Sequence, residues 1–145
     1  LSMAFGNPYG EFWSIDVLLN QISKVVKKNI SMISLADTIG NSHPHSIKSI
    51  YNAVSDNFSL LDVGLHLHSS PENAYKKIHA GWGVGCRRFD VTVSGYGGCP
   101  FAQNQLVGNI STQQLLNFLA KNNLKHSLDL LALENSYNKS RDIFD

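Results

Sequence analysis

Asp62-Val-Gly-Leu-His-Leu-His68, followed by Ser69-Ser70-Pro71, is the stretch from which the rest of the chain is read. A short apolar run bounded by turn residues predicts a buried strand over 62–68. Pro71 then occupies the favoured first turn of a helix running to about residue 80. The same strand–loop–helix unit recurs on both sides. Upstream, 30–36 reads as a strand, 37–44 as its loop and 45–57 as its helix. Earlier still, 1–5 is a short apolar run that reads as a strand, and Gly6, Asn7, Pro8 and Gly10 mark a turn. Ser14 then caps a helix whose apolar residues Ile15, Leu18, Leu19, Ile22, Val25 and Val26 keep the 3.6-residue period. Downstream, 88–93 is a fourth strand leading into a long glycine-rich loop. A helix from Thr112 to about Asn122 follows, and a last amphipathic helix starts near Ser127.

Strand starts recur at roughly 30-residue spacing, the period of a strand–loop–helix–loop unit. Strands alternating with helices predict an α/β fold with right-handed crossovers. Two architectures fit: a small doubly wound sheet, or four consecutive units of a (β/α)₈ barrel. A whole TIM barrel needs ~250 residues, so a chain of 145 holds half of one. Both architectures place function at the C-terminal ends of the strands, where the polar residues gather here. Four parallel strands with helices on one face predict an apolar inner face and two open edges. Such a piece is expected to form a homodimer, pair with a missing N-terminal half-barrel, or aggregate. The chain opens inside what reads as a strand, without Met, so more sequence is expected upstream.

Composition narrows the function classes. Hydrophobic residues make up 43% and charged residues 16%, which excludes a disordered segment. Twelve basic against eleven acidic residues leave a net charge of +1, without the excess that nucleic-acid binding demands. Lys24, Lys27 and Lys28 form the densest basic patch, at a spacing that suits a solvated helix face. No apolar run approaches the ~20 residues that span a bilayer, and no signal or transit segment is visible. Two cysteines make no disulfide framework, so a reducing, cytoplasmic setting is expected.

Three places carry residues suited to chemistry. His66 and His68 end the third strand, and strand alternation points both imidazoles to one face, with Leu67 on the other. Two neutral imidazoles at a strand end suit a divalent metal or a hydrogen-bonded pair beside a pocket. Asp37 follows the second strand, where an acid serves either as the helix N-cap or as a catalytic acid/base at the barrel mouth. Ser94-Gly-Tyr-Gly-Gly-Cys-Pro100 is the most unusual stretch, with three glycines that permit positive φ and hinge motion. Cys99 at its tip suits a mobile acid or nucleophile, or is an incidental thiol on a surface turn. A phosphate cradle is disfavoured because Pro100 lacks an N–H. Asn109 follows, with an amide oxygen suited to a hard cation. Gly81-Trp-Gly-Val-Gly85 precedes a strand, so the dinucleotide fingerprint fails. Cys86 reads as a buried small hydrophobe. His43, His45, His79 and His126 show no partner pattern.

Taken together, Ser34-Leu-Ala-Asp-Thr-Ile-Gly40, His66-Leu-His68 and Ser94-Gly-Tyr-Gly-Gly-Cys-Pro-Phe-Ala-Gln103, with Gly108-Asn109, strongly resemble the 3-hydroxy-3-methylglutaryl-CoA lyase family. Ala4-Phe-Gly-Asn-Pro-Tyr9 looks like that family's fifth barrel strand and loop. The glycine-rich cysteine loop is the specific part; His-x-His occurs across a wider superfamily of metal-dependent lyases and synthases. The resemblance implies the last four strand–helix units and C-terminal helix of a TIM barrel over residues 1–145. It further implies Mg²⁺ or Mn²⁺ and cleavage of an acyl-CoA substrate to acetoacetate and acetyl-CoA. His66, His68 and Asn109 match metal ligands, Asp37 an acid near the substrate hydroxyl, and Cys99 the cysteine of a lid loop. Either a metal-bound histidine such as His66 or Asp37 then accepts the hydroxyl proton. Ser69 departs from the Asp of many members, and the interval from Cys99 to Asn109 is one residue longer than in some. The family's first strand, with an Asp ligand and a catalytic Arg, has no counterpart here. The rival expectations are a condensing synthase or hydroxy-oxo-acid aldolase on the same barrel, against which Cys99 and its glycines argue, and a non-catalytic half-barrel.

Overall fold

The computed structural model describes residues 1–98 and 107–144. Helix α1 spans Ile15–Val26, strand β1 Met32–Ala36, α2 Pro44–Asn57 and β2 Asp62–His66. A two-residue strand β3, His68–Ser69, precedes α3, Pro71–Gly83. Strand β4 is Phe89–Asp90, β5 Gly108–Asn109, α4 Thr112–Lys121 and α5 Leu130–Phe144. Among the described residues no helix is long and apolar enough to cross a membrane.

Local chemistry starts the helices where the sequence puts them. The Ser14 hydroxyl accepts the Val17 N–H at 3.2 Å, and Ser111 and Gln114 form a reciprocal capping box on α4. Proline fills the first turn of both α2 and α3. His43 caps α2 through its ring, a role its sequence surroundings do not announce.

Three strands form a parallel sheet in the order β1-β2-β4. Ala36 lies opposite His66, and His66 opposite Asp90. Strand order follows chain order, and successive helices touch: α1 on α2, α2 on α3, α3 on α4. A doubly wound sheet reverses its strand order and carries helices on both faces. Consecutive strands under a row of neighbouring helices are instead a sector of a barrel. Leu35, Val63 and Leu65 form one core with Ile22, Ile47, Val54, Ile78 and Phe118 from the helices.

The other face of the sheet corrects an expectation. It is polar, not apolar. Arg88 lies over Gly64, where a Cβ would come 2.6 Å from the guanidinium carbon. Its guanidinium donates to the Ser34 hydroxyl at 3.0 Å and pairs with Asp62 at 3.4 Å and Asp90 at 3.8 Å. One arginine with two carboxylates therefore occupies space that aliphatic side chains fill in an ordinary barrel interior.

The opening residues also differ from expectation, because 1–5 forms no regular strand. Ala36 N–H donates to the Leu1 carbonyl and Ala4 N–H to the Ala36 carbonyl, each at 3.0 Å. Met3, at φ 58°, lies outside the extended region between those two contacts, so no continuous strand forms. The strands expected over 30–36, 62–68 and 88–93 are all shorter than drawn, and the second of them breaks at Leu67. Beyond β4, Thr92 N–H donates to the Ile110 carbonyl at 3.1 Å and Thr112 N–H to the Thr92 carbonyl at 2.9 Å. The segment after the glycine loop thus returns to the sheet edge.

Helix α3 approaches the sheet closely at Gly81, where a Cβ would lie 2.5 Å from Leu65 Cδ1 and 3.1 Å from the Phe89 ring. Gly81→Ala gains about 1 kcal/mol of helix propensity but overpacks a filled core at a cost of about 1–3 kcal/mol. We expect a net loss of stability in denaturant titration, with secondary structure retained.

Candidate active site

The site grows from the break in the third expected strand. β2 ends at His66, Leu67 turns into the core, and His68 and Ser69 pair antiparallel with Asn109 and Gly108. The His66 and His68 rings stand edge to face, 5.3 Å between centroids. The two imidazoles are together as the alternation argument requires, although they belong to different strands. They differ in setting. The His66 side chain is 35% exposed, and its Nδ1 lies 3.7 Å from an Asp90 carboxylate oxygen. His68 is 5% exposed. Burial, and then the neighbouring His66, hold its imidazole below the usual histidine range. It is neutral at pH 7, the form that binds a metal.

Asn109 is the cross-strand partner of His68. Its side-chain amide donates to the Tyr96 carbonyl at 2.9 Å, which fixes the amide and turns Oδ1 away. That Oδ1 and His68 Nδ1 are buried without a hydrogen-bond partner among the described residues. A ring nitrogen and an amide oxygen, both desolvated and unanswered, cost free energy unless a ligand meets them. The donor set fits a divalent cation. Among the described residues no cluster of three or more His, Cys, Asp or Glu could hold a metal, and an amide oxygen is a donor type that hard cations accept.

The glycines of the loop after β4 act here by permitting close approach. Gly95 (φ 74°) and Gly97 (φ 90°) press against the Asn109 backbone and amide, and Gly98 bridges to Gly108. Cys99 lies outside the described residues.

Asp37 is fully buried. Oδ1 accepts the Ser42 N–H at 3.0 Å, while Oδ2 accepts the Ser42 hydroxyl and the Lys77 ammonium, the latter at 3.1 Å. It is not the N-cap of α2, which is His43. Nor does its carboxylate open onto the strand ends as a catalytic acid/base there would. Its geometry is that of a loop anchor. Ser69 is buried too, with its hydroxyl donating to the Ser70 carbonyl at 2.7 Å.

Two residues of the site escape a reading by sequence. Lys77 falls on the buried stripe Ala74, Lys77, Ile78 and Gly81 of α3, and a lysine at core spacing was the available signal. Asp90 ends β4 on the face of His66, and strand alternation from Phe89 would have placed it. Cys86 matches its reading: it is fully buried, and burial pushes its thiol pKa up.

Residues 2–138 match the HMGL-like family. The chain is 32% identical over 133 residues to the (R)-citramalyl-CoA lyase of Chloroflexus aurantiacus, covering 92% of this chain and 42% of that protein. A crystal structure of the Bacillus subtilis HMG-CoA lyase superposes with a TM-score of 0.86 at 26% identity, over 97% of this chain and 47% of that one. A structure of an HMG-CoA lyase from Acinetobacter baumannii, in complex with coenzyme A and 3-methylmalate, gives 0.78 at 34% identity, over 90% and 43%. The chain spans under half the length of these relatives.

A methyl at Gly97 would sit 2.9 Å from the Asn109 amide nitrogen, at a φ that L-residues rarely adopt. Gly97→Ala is expected to displace the Asn109 amide and, if this site takes a divalent cation, to weaken Mn²⁺ binding by about tenfold, the scale of an outer-shell defect. Calorimetric titration measures it, and the thermal midpoint should move little because the displaced segment lies at the sheet edge.

Proposed function

The chain belongs to the HMGL-like family, and from that premise we propose that it is the metal-binding half of a carbon–carbon lyase cleaving 3-hydroxy-3-methylglutaryl-CoA to acetoacetate and acetyl-CoA. The observation that carries this reading is the unanswered pair of buried atoms, His68 Nδ1 and Asn109 Oδ1, on facing residues. Similarity to HMG-CoA lyases over most of the chain supports the substrate class. Mg²⁺ or Mn²⁺, and a second half-barrel that completes the ring of strands, belong to the same proposal.

Retro-aldol cleavage takes the proton from a tertiary hydroxyl, breaks the adjacent C–C bond and returns a proton to the thioester enolate. When bound, the divalent cation supplies Lewis-acid polarisation of the substrate oxygens. His68 and Asn109 would hold it, with His66 beside them. His66 is the open imidazole of the pair. Asp90 lies 3.7 Å from its Nδ1, and its Nε2 would take up the hydroxyl proton. Asp37 serves this chemistry by holding its loop, its oxygens being committed to Ser42 and Lys77. Cys99 delivers the proton to the enolate carbon, for which a thiol with an ordinary pKa of ~8.5 is a suitable acid.

A second substrate has a specific observation behind it, the likeness to a citramalyl-CoA lyase. Supplying both thioesters, with Mg²⁺, to the longest natural polypeptide containing this sequence separates the two. Acetoacetate release that a chelator abolishes supports the first, and turnover of citramalyl-CoA alone selects the second. Cys99→Ala should cut turnover at least a hundredfold with Mn²⁺ affinity unchanged. His66→Ala should cost about 10²–10⁴-fold in rate; its Mn²⁺ affinity shows whether that histidine also serves as a ligand.

A further inference from the structure

Lys77 is a charged side chain placed where α3 presents its apolar stripe, and it is 5% exposed. Its ammonium reaches three acceptors, two in the loop after β1 and one in β3. It donates to the His68 carbonyl at 2.6 Å, to Asp37 Oδ2 at 3.1 Å and to the Gly40 carbonyl at 3.3 Å. Three donors meeting three acceptors satisfy an ammonium fully, which is what allows a lysine to remain buried. Asp37, in turn, is anchored through both oxygens on Ser42. One cation thereby ties the loop after β1, the residue after the strand break and the first half of α3 into a single unit.

The shortest of the three bonds goes to His68, the residue whose position matters most. After Leu67 the chain has left the parallel ladder, and two residues of antiparallel pairing with β5 are a weak hold by themselves. A clamp on the His68 carbonyl fixes that peptide from the side opposite β5. We propose that Lys77 is a positioning residue: by holding the His68 carbonyl against the Asp37 loop, it sets the β3–β5 pairing and with it the alignment of His68 and Asn109. The cation-binding consequence rests on the metal reading above, whereas the hold on β3 stands without it. The alternative role is that of a simple counter-charge for Asp37.

The neutral pair Lys77→Met/Asp37→Asn distinguishes the two roles. Lys77→Met alone would strand a buried carboxylate and could fail to fold. The double variant keeps the apolar stem and leaves an acceptor for the Ser42 N–H. If Lys77 only balances charge, removing both charges restores wild-type behaviour. If it positions His68, the variant keeps its fold and loosens β3. Hydrogen exchange on the metal-free full-length protein should show amides at 68–69 and 108–109 exchanging at least tenfold faster, with α1 and α2 unchanged. Mn²⁺ titration should show affinity about 10–100-fold weaker. Unchanged exchange at β3 and β5, or a uniform loss of protection throughout the chain, overturns the proposal. Failure of the wild-type protein to bind Mn²⁺ defeats the metal reading, while the exchange result still decides the role of Lys77.

Discussion

The antiparallel pairing of His68 with Asn109 is the constraint on which the site depends. The parallel ladder does not itself pair these two residues: β2 and β4 are neighbours through His66 and Asp90, and Asn109 comes from the segment that follows β4. The chain solves this by leaving β2 at His66, spending Leu67 in the core, and meeting the segment that follows the glycine loop. Gly95 and Gly97 are needed where that segment passes, since side chains there would occupy the space of Asn109. The glycines, the strand break and the Lys77 ammonium thus serve one geometric end: two buried donor atoms on facing residues.

The polar inner face has a related logic. A barrel interior filled by aliphatic layers needs no pairing, but Arg88 needs all of its donors answered. It finds them in Ser34, Asp62, Asp90 and backbone carbonyls of β1 and β2. Asp90 is shared between this network and His66. The charged interior and the candidate site are therefore continuous.

The repeat of strands and helices, the cap at Ser14 and the proline start of α3 were legible because each is a local signal, whereas Pro44, read as the end of a loop, opens α2. The histidine pair was placed on one side by alternation, and the rings do lie together although the strand breaks between them. What sequence hid is what depends on distant partners. Asp37 carries the same local signature whether it caps a helix, abstracts a proton or anchors a loop; only the distant Lys77 decides. Lys77 itself sits beside Lys76 and looks like half of an ordinary surface pair. The apolar inner face was inferred from architecture, and Arg88 opposite Gly64 overrides it. The run at 1–5 has strand composition, but Met3, at positive φ, interrupts it between the bonds that Leu1 and Ala4 make to β1.

The central claim is that His68 and Asn109, with His66 alongside, form the cation site of a lyase of this family. The most direct test is a crystal structure of the full-length protein grown with Mn²⁺, read by anomalous scattering at the manganese edge. The account predicts one strong peak within coordination distance of His68 and the Asn109 side-chain oxygen. A fully occupied manganese elsewhere, with those two atoms still bare or bonded to each other, would contradict it.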